Sequence, residues 1–139
     1  MINQLIIKGF KSFVDKSINF NQLNVLTGLN SSGKSTVIQA LQILSKYSRH
    51  FENPLIEGHG DYKELQNPFS SLPFSINAKY GEHGIICYSP QKENNIHTEE
   101  FPDLIIISAD RYGPLVSIPL LSDCELGSKG ENVIKCIQV

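Results

Sequence analysis

The stretch Gly28-Leu-Asn-Ser-Ser-Gly33-Lys34-Ser35 constrains this chain more than any other segment, because it satisfies G-x-x-x-x-G-K-[ST] at every fixed position. Its flanks agree with it. Leu23-Asn-Val-Leu-Thr27 reads as a short buried-type strand running straight into Gly28. Beyond the loop, Ser35–Tyr47 carries Val37, Ala40, Leu41, Leu44 and Tyr47 at the i, i+3, i+4, i+7 spacing of an apolar helix face. Ile38 and Ile43 add apolar area off that face, so the helix is expected to be covered on more than one side. A strand–loop–helix junction is the setting this motif needs.

Each residue type has a physical reason. The two glycines let the backbone curl until successive N–H groups point inward and form an anion-binding concavity. The helix starting near Lys34 adds unpaired N–H donors and the positive end of its dipole. The pattern therefore predicts a cradle for the phosphates of a nucleoside triphosphate, taken here as ATP with Mg²⁺. Lys34 is the candidate catalytic cation along the β- and γ-phosphates. Ser35 is the candidate Mg²⁺ ligand, Mg²⁺ preferring hard oxygen donors. Thr36 offers a hydroxyl towards the α-phosphate, and Asn30, Ser31 and Ser32 are small enough for the loop to close. The motif says nothing about the base.

The whole chain of 139 residues is long enough for a single core, and 40% hydrophobic against 19% charged residues describe a globular chain, not a disordered one. Residues 1–50 hold six basic side chains against one acid, a net +5; residues 51–139 hold six against thirteen, a net −7. The basic half is the one that carries the phosphate motif. The longest clean apolar run is Leu104–Ile107, and the N-terminal apolar stretch spans three residues, so neither a membrane span nor a secretory signal is expected and the protein is read as cytoplasmic. Cys87, Cys124 and Cys136 are odd in number and scattered, which suits neither a disulfide framework nor a zinc site. The histidines (His50, His59, His83, His97) are expected on surface loops, and Glu99, Glu100 and Asp103 on a solvated face.

Coarse periodicity predicts strands at Leu5–Phe10 and Val14–Phe20, with Val14, Lys16, Ile18 and Phe20 on one face. Residues 48–73 are punctuated by Pro54, Gly58, Gly60, Pro68 and Pro73 and read as loop with one short element at most. Phe74–Tyr80 and Ile85–Tyr88 form an expected hairpin around Gly81-Glu-His-Gly84. Residues 89–103 read as an exposed connection, Leu104–Ser108 as a β-branched strand, and the tail as irregular until Val133–Ile137.

Ile6-Ile-Lys-Gly-Phe-Lys-Ser-Phe13, a second strand ending Ile18-Asn-Phe20, and Asn24-Val-Leu-Thr-Gly-Leu-Asn-Ser-Ser-Gly-Lys-Ser-Thr36 together resemble the N-terminal lobe of the ABC-class ATPases, the group of SMC, RecF and OLD proteins. The resemblance covers residues 1–48. It implies that the polar pair after the first strand, matched by Lys11 and Ser12, approaches the nucleotide. It also implies an α/β P-loop NTPase lobe with a mixed β-sheet, incomplete relative to a full ABC-type head: strands, P-loop and helix in 1–48, a loop-rich β region in 49–139. Ile105-Ile-Ile-Ser-Ala-Asp-Arg-Tyr-Gly-Pro114, with a later Gly127-x-x-Gly-Glu131, is similar to a segment of OLD-like bacterial AAA-family ATPases. Some of those act beside a nuclease in anti-phage defence of the Septu type.

The departures bear on mechanism. A Walker B strand ends in Asp-Glu, whereas here Asp110 comes two residues late and Arg111 stands where the glutamate would be. Leu121-Ser-Asp-Cys-Glu125 shares only two letters with an LSGGQ-like signature, and Gln42, Gln66 and Gln91 are equal candidates for a Q-loop. The expectation is the N-terminal portion of a longer ATPase that binds nucleotide, hydrolyses it only with further motifs, and in its full form works as a homodimer or larger assembly, with DNA or a nuclease as possible partners. The alternative is a regulatory module that binds nucleotide without hydrolysing it. A P-loop kinase or GTPase fits less well, for want of an N-K-x-D run or an arginine-rich lid.

Overall fold

The computed structural model describes residues 1–29, 32–50, 53–91 and 95–107. The chain divides into two compact units, Met1–Asp103 and Leu104–Val139. The first contains β1 (Ile2–Phe10), β2 (Phe13–Asn19), α1 (Lys34–Ser48), α2 (Tyr62–Leu65), β3 (Ser75–Tyr80), β4 (Gly84–Tyr88) and β5 (Ile96–His97). Of the second, only residues 104–107 are described.

The five strands make one sheet in the order β2-β1-β3-β4-β5. Every pairing among the described residues is antiparallel, so no parallel pair that would make the sheet mixed occurs among them. Alternation sets the buried face: Leu5 and Ile7 of β1, Ile76, Ala78 and Tyr80 of β3, and Ile86 and Tyr88 of β4 all turn inward. Helix α1 covers that face with Val37, Ala40, Ile43 and Leu44, lying over β3 and β4. Phe10, Leu65, Phe74 and Phe101 complete the core, with the Phe10 and Phe74 rings 5.1 Å apart. Each fully buried Leu, Ile or Phe contributes about 1.5–3 kcal/mol through loss of apolar hydration.

Local chemistry explains the two helices. No Gly or Pro interrupts α1, and Lys46 in its last turn opposes the negative end of the dipole. α2 has one turn, held by a capping box. The Asp61 carboxylate accepts from the N–H groups of Lys63 (2.9 Å) and Glu64 (3.0 Å), and the Glu64 carboxylate accepts from the Asp61 N–H (3.0 Å).

Several expectations need correction. Leu23–Thr27 is not a strand: no residue of it pairs with the sheet, and Leu23 and Val25 are 82% and 76% exposed. Apolar alternation supplies a face to bury, but a strand also needs a neighbour for its N–H and C=O groups, and none lies beside this run among the described residues. Leu104–Ile107 is likewise unpaired; Ser108, and Val133–Ile137, lie outside the described residues. The connection 89–103 is not wholly exposed, since it contributes β5 and the buried Phe101. The β3–β4 loop has three residues, because Gly84 pairs with Tyr80 inside the ladder. In α1 the inward face is rotated: Ile43 is fully buried while Leu41 and Tyr47 are half-buried. The face turned inward also takes in the polar Thr36 and Gln39, which apolar periodicity by itself does not assign to it.

Candidate functional site

The glycine-rich loop is shaped by its two glycines. Gly28 has φ 149, and Gly33, the N-cap of α1, has φ 93 and ψ 4, the left-handed region that side chains with a Cβ avoid. The Ser32 N–H donates to the Leu29 carbonyl (3.2 Å), closing a turn inside the loop. No side chain caps α1, and the first residue whose N–H returns to the N-cap is Val37, bonded to the Gly33 carbonyl at 3.1 Å. The preceding N–H groups at the helix start are the donors that a helix leaves for an anion.

Lys34 folds back over this loop. Its Nζ donates to the carbonyl oxygens of Gly28 (2.6 Å) and Leu29 (2.6 Å) and to Ser32 Oγ (3.2 Å). These acceptors are neutral, so the ammonium can exchange them for phosphate oxygens, which bind it more strongly. Ser35 presents an exposed side chain beside it, and Thr36 is buried at the floor.

The opposite wall comes from the hairpin turn between β1 and β2. Phe10 pairs with Phe13, so Lys11 and Ser12 form the two-residue turn, with Lys11 at φ 50. Lys11 and Ser12 face Ser32, Gly33, Lys34, Ser35 and Thr36 across a cavity of about 320 Å³. Two lysines, three further hydroxyl side chains beyond Ser12, and an uncapped helix start line it; no carboxylate does, among the described residues. Two larger hollows of about 450 and 470 Å³ lack this convergence: Glu57 and Asp61 line one without any basic residue, and Glu82 lines the other together with Lys79.

The structure thus brings together Lys11, Ser12, Ser32, Gly33, Lys34, Ser35 and Thr36, with Gly28 behind them as an acceptor for Lys34. Asn30, Ser31, Asp110 and Arg111 lie outside the described residues, as do Cys124 and Cys136. Gln66 is not available to a ligand: its amide donates to Leu72 O (2.8 Å) and accepts from the Phe74 N–H (2.8 Å), stapling the loop between α2 and β3. Gln42 is half-buried on α1 and Gln91 is exposed after β4. His97 is not on a loop; it lies in β5 opposite Ile86, with Nε2 enclosed, while His50, His59 and His83 are exposed. No group of three or more His, Cys, Asp or Glu residues suited to a metal occurs among the described residues. Cys87 is a free, half-buried thiol whose pKa is raised by burial. Among the described residues, no helix is long and apolar enough to cross a membrane.

Two participants escaped the sequence reading. Phe13 presses its ring on Gly33, and Asn67, 2% exposed, bonds to the backbone of the Lys11 turn. Nothing local in the sequence around either residue announces such a role.

Comparison with known proteins gives a consistent picture. The family model for the AAA ATPase domain matches residues 1–130. The chain is 30% identical over 83 residues to the DNA replication and repair protein RecF of Oenococcus oeni, covering 54% of this chain and 22% of that protein. It is 43% identical over 51 residues to an ATP/GTP phosphatase of Helicobacter pylori, covering 36% and 14%. It is 29% identical over 107 residues to RecF of Francisella tularensis subsp. novicida, covering 70% and 30%. The chain therefore spans less than a third of the length of each of these relatives.

Proposed function

The chain belongs to the AAA ATPase domain family, and from that premise we propose that the cavity between α1 and the β1–β2 turn binds the triphosphate of ATP together with Mg²⁺. The observation that carries this reading is the make-up of the cavity: two lysines, an uncapped helix N-terminus and hydroxyl side chains converge, with no carboxylate among the described residues to repel a polyanion. The donor set suits the ligand. The N–H groups at the start of α1 cradle phosphate oxygens, Lys34 moves from the Gly28 and Leu29 carbonyls onto the β- and γ-phosphates, and Lys11 supplies a second cation from the facing wall. Ser35 Oγ is our candidate for the protein's ligand to Mg²⁺, which would neutralise charge on the phosphoryl oxygens. Thr36, and Ser12 from the turn, remain as further hydroxyl donors, and Ser32 adds another from the glycine-rich loop.

Hydrolysis needs a group that orients and deprotonates water. No carboxylate lines the cavity among the described residues. We read turnover as depending on a catalytic acid and signature residues beyond those lining this cavity, supplied in the larger ATPase by further chain and a second copy. That two relatives are named DNA replication and repair proteins supports DNA as the polymer such a cycle serves.

The test is calorimetric titration of the chain with Mg²⁺–ATP beside Lys34→Ala. Binding by the native chain that is lost in Lys34→Ala supports the reading. A folded native chain that does not bind, or a Lys34→Ala variant that binds equally well, overturns it. Steady phosphate release by this chain alone, abolished by Lys34→Ala, would instead refute the dependence on outside residues.

A further inference from the structure

Both main-chain polar groups of Lys11 are gripped by one short segment that lies outside the cavity. The Lys11 N–H donates to the Leu65 carbonyl at 2.7 Å, and the Lys11 carbonyl accepts from Asn67 Nδ2 at 2.6 Å. The Asn67 N–H in turn donates to the Gly9 carbonyl at 2.8 Å, and Asn67 Oδ1 accepts from the Phe69 N–H at 2.8 Å. The amide orientation follows from its partners, since a carbonyl can only accept and a peptide N–H can only donate.

This grip answers a conformational question. Lys11 has φ 50. A two-residue hairpin turn with positive φ ordinarily selects Gly, Asn or Asp, and another residue held there costs of order 1–3 kcal/mol unless its surroundings determine it. Here the surroundings are a buried, hydrogen-bonded asparagine, 2% exposed, whose side chain would be costly to bury unpaired. The turn so fixed is the one that places Lys11 and Ser12 opposite Lys34.

We propose that Asn67 is a positioning residue for nucleotide binding, acting through Lys11: its amide locks the Lys11–Ser12 turn against the glycine-rich loop so that the second lysine is preorganised in the phosphate cavity. This rests on the reading of that cavity as a triphosphate site. A lysine on an unclamped turn must be ordered when the anion arrives, and that ordering is subtracted from affinity. The clamp also ties the site to the loop after α2, because the same amide holds the Phe69 N–H.

A double-mutant cycle separates positioning from mere structural support. Mg²⁺–ATP affinity is measured for the native chain, Asn67→Ala, Lys11→Ala and the double variant, with thermal melting of each as the folding control. Expected is a loss of about tenfold for Asn67→Ala in the native background, and almost none when Lys11 is already alanine. Equal losses in both backgrounds, or native affinity in Asn67→Ala, would overturn the proposal. If Asn67→Ala does not fold, the cycle is run with Asn67→Asp, which keeps the acceptor for Phe69 but not the amide donor to Lys11. An effect of the new charge on the triphosphate persists without Lys11, whereas a positioning effect disappears. Lys34→Ala is carried in parallel: if it binds like the native chain, the triphosphate reading itself has failed, and the proposal, which rests on it, is overturned with it.

Discussion

The ring of Phe13 lies against the Cα of Gly33, so closely that a Cβ built on that glycine would stand 2.5 Å from Phe13 Cζ and 2.8 Å from Cε1. One residue opens strand β2 and the other caps α1, so this contact joins the two walls of the cavity. Gly33 is therefore required twice over, by its left-handed φ of 93 and by the ring pressed on it.

Gly33→Ala is accordingly expected to lower stability by about 1–3 kcal/mol and to reduce Mg²⁺–ATP affinity by at least about tenfold. Adding Phe13→Ala removes the ring contact but not the backbone penalty. The double variant should regain affinity over Gly33→Ala if displacement of the loop by the ring is the main damage. Thermal melting and calorimetry on the same samples separate the two contributions.

Ser35→Ala removes the hydroxyl assigned to Mg²⁺ while leaving both lysines. Affinity for ATP in the presence of Mg²⁺ should fall to the level measured in a chelator, and affinity in the chelator should stay where it was. An undiminished Mg²⁺ effect in Ser35→Ala would remove Ser35 from the metal role.

Gln39 is 3% exposed on α1, and its Nε2 has no hydrogen-bond partner among the described residues. An enclosed amide donor left unpaired costs about 1–3 kcal/mol. Gln39→Leu, similar in size and without polar atoms, should hold or raise the thermal midpoint. A marked fall would mean that the amide is satisfied in solution.

Tyr88 titrates well above the ordinary tyrosine range, chiefly because it is buried and further because its hydroxyl donates to Tyr62 Oη at 3.1 Å. Tyr80 is raised in the same direction, chiefly by burial, and its hydroxyl donates to the Glu99 carbonyl at 2.6 Å. The folded state thus holds these protons more tightly than the unfolded chain does. Their contribution is fully present below pH ~10, where the unfolded tyrosines are also protonated, and is lost as pH climbs towards the raised folded values. Urea midpoints should fall steeply above pH ~10, and Tyr88→Phe should make that fall shallower.

Much of the local architecture was legible in advance. Helix α1 follows from 3.6-residue periodicity free of Gly and Pro, and the β3–β4 hairpin from apolar runs around Gly81–Gly84, because both depend on neighbours a few residues away. The run at Leu23–Thr27 misled because a strand is completed by a partner, and its apolar residues are exposed instead. The aromatic Phe101 and strand β5 were hidden inside a polar stretch, since two paired residues and one buried ring leave almost no periodic trace.

By itself the sequence determined the expectation of phosphate chemistry at Gly28–Ser35, since glycine freedom, the helix start and the lysine charge act within eight consecutive residues. Only the tertiary structure decided what stands opposite. Sheet order puts β1 between β2 and β3, which carries the Lys11–Ser12 turn to the loop. It also brings Asn67 onto a carbonyl 56 residues earlier in the chain. Contacts at that separation are set by how the sheet and helix close over one core, and no window of local sequence contains that information.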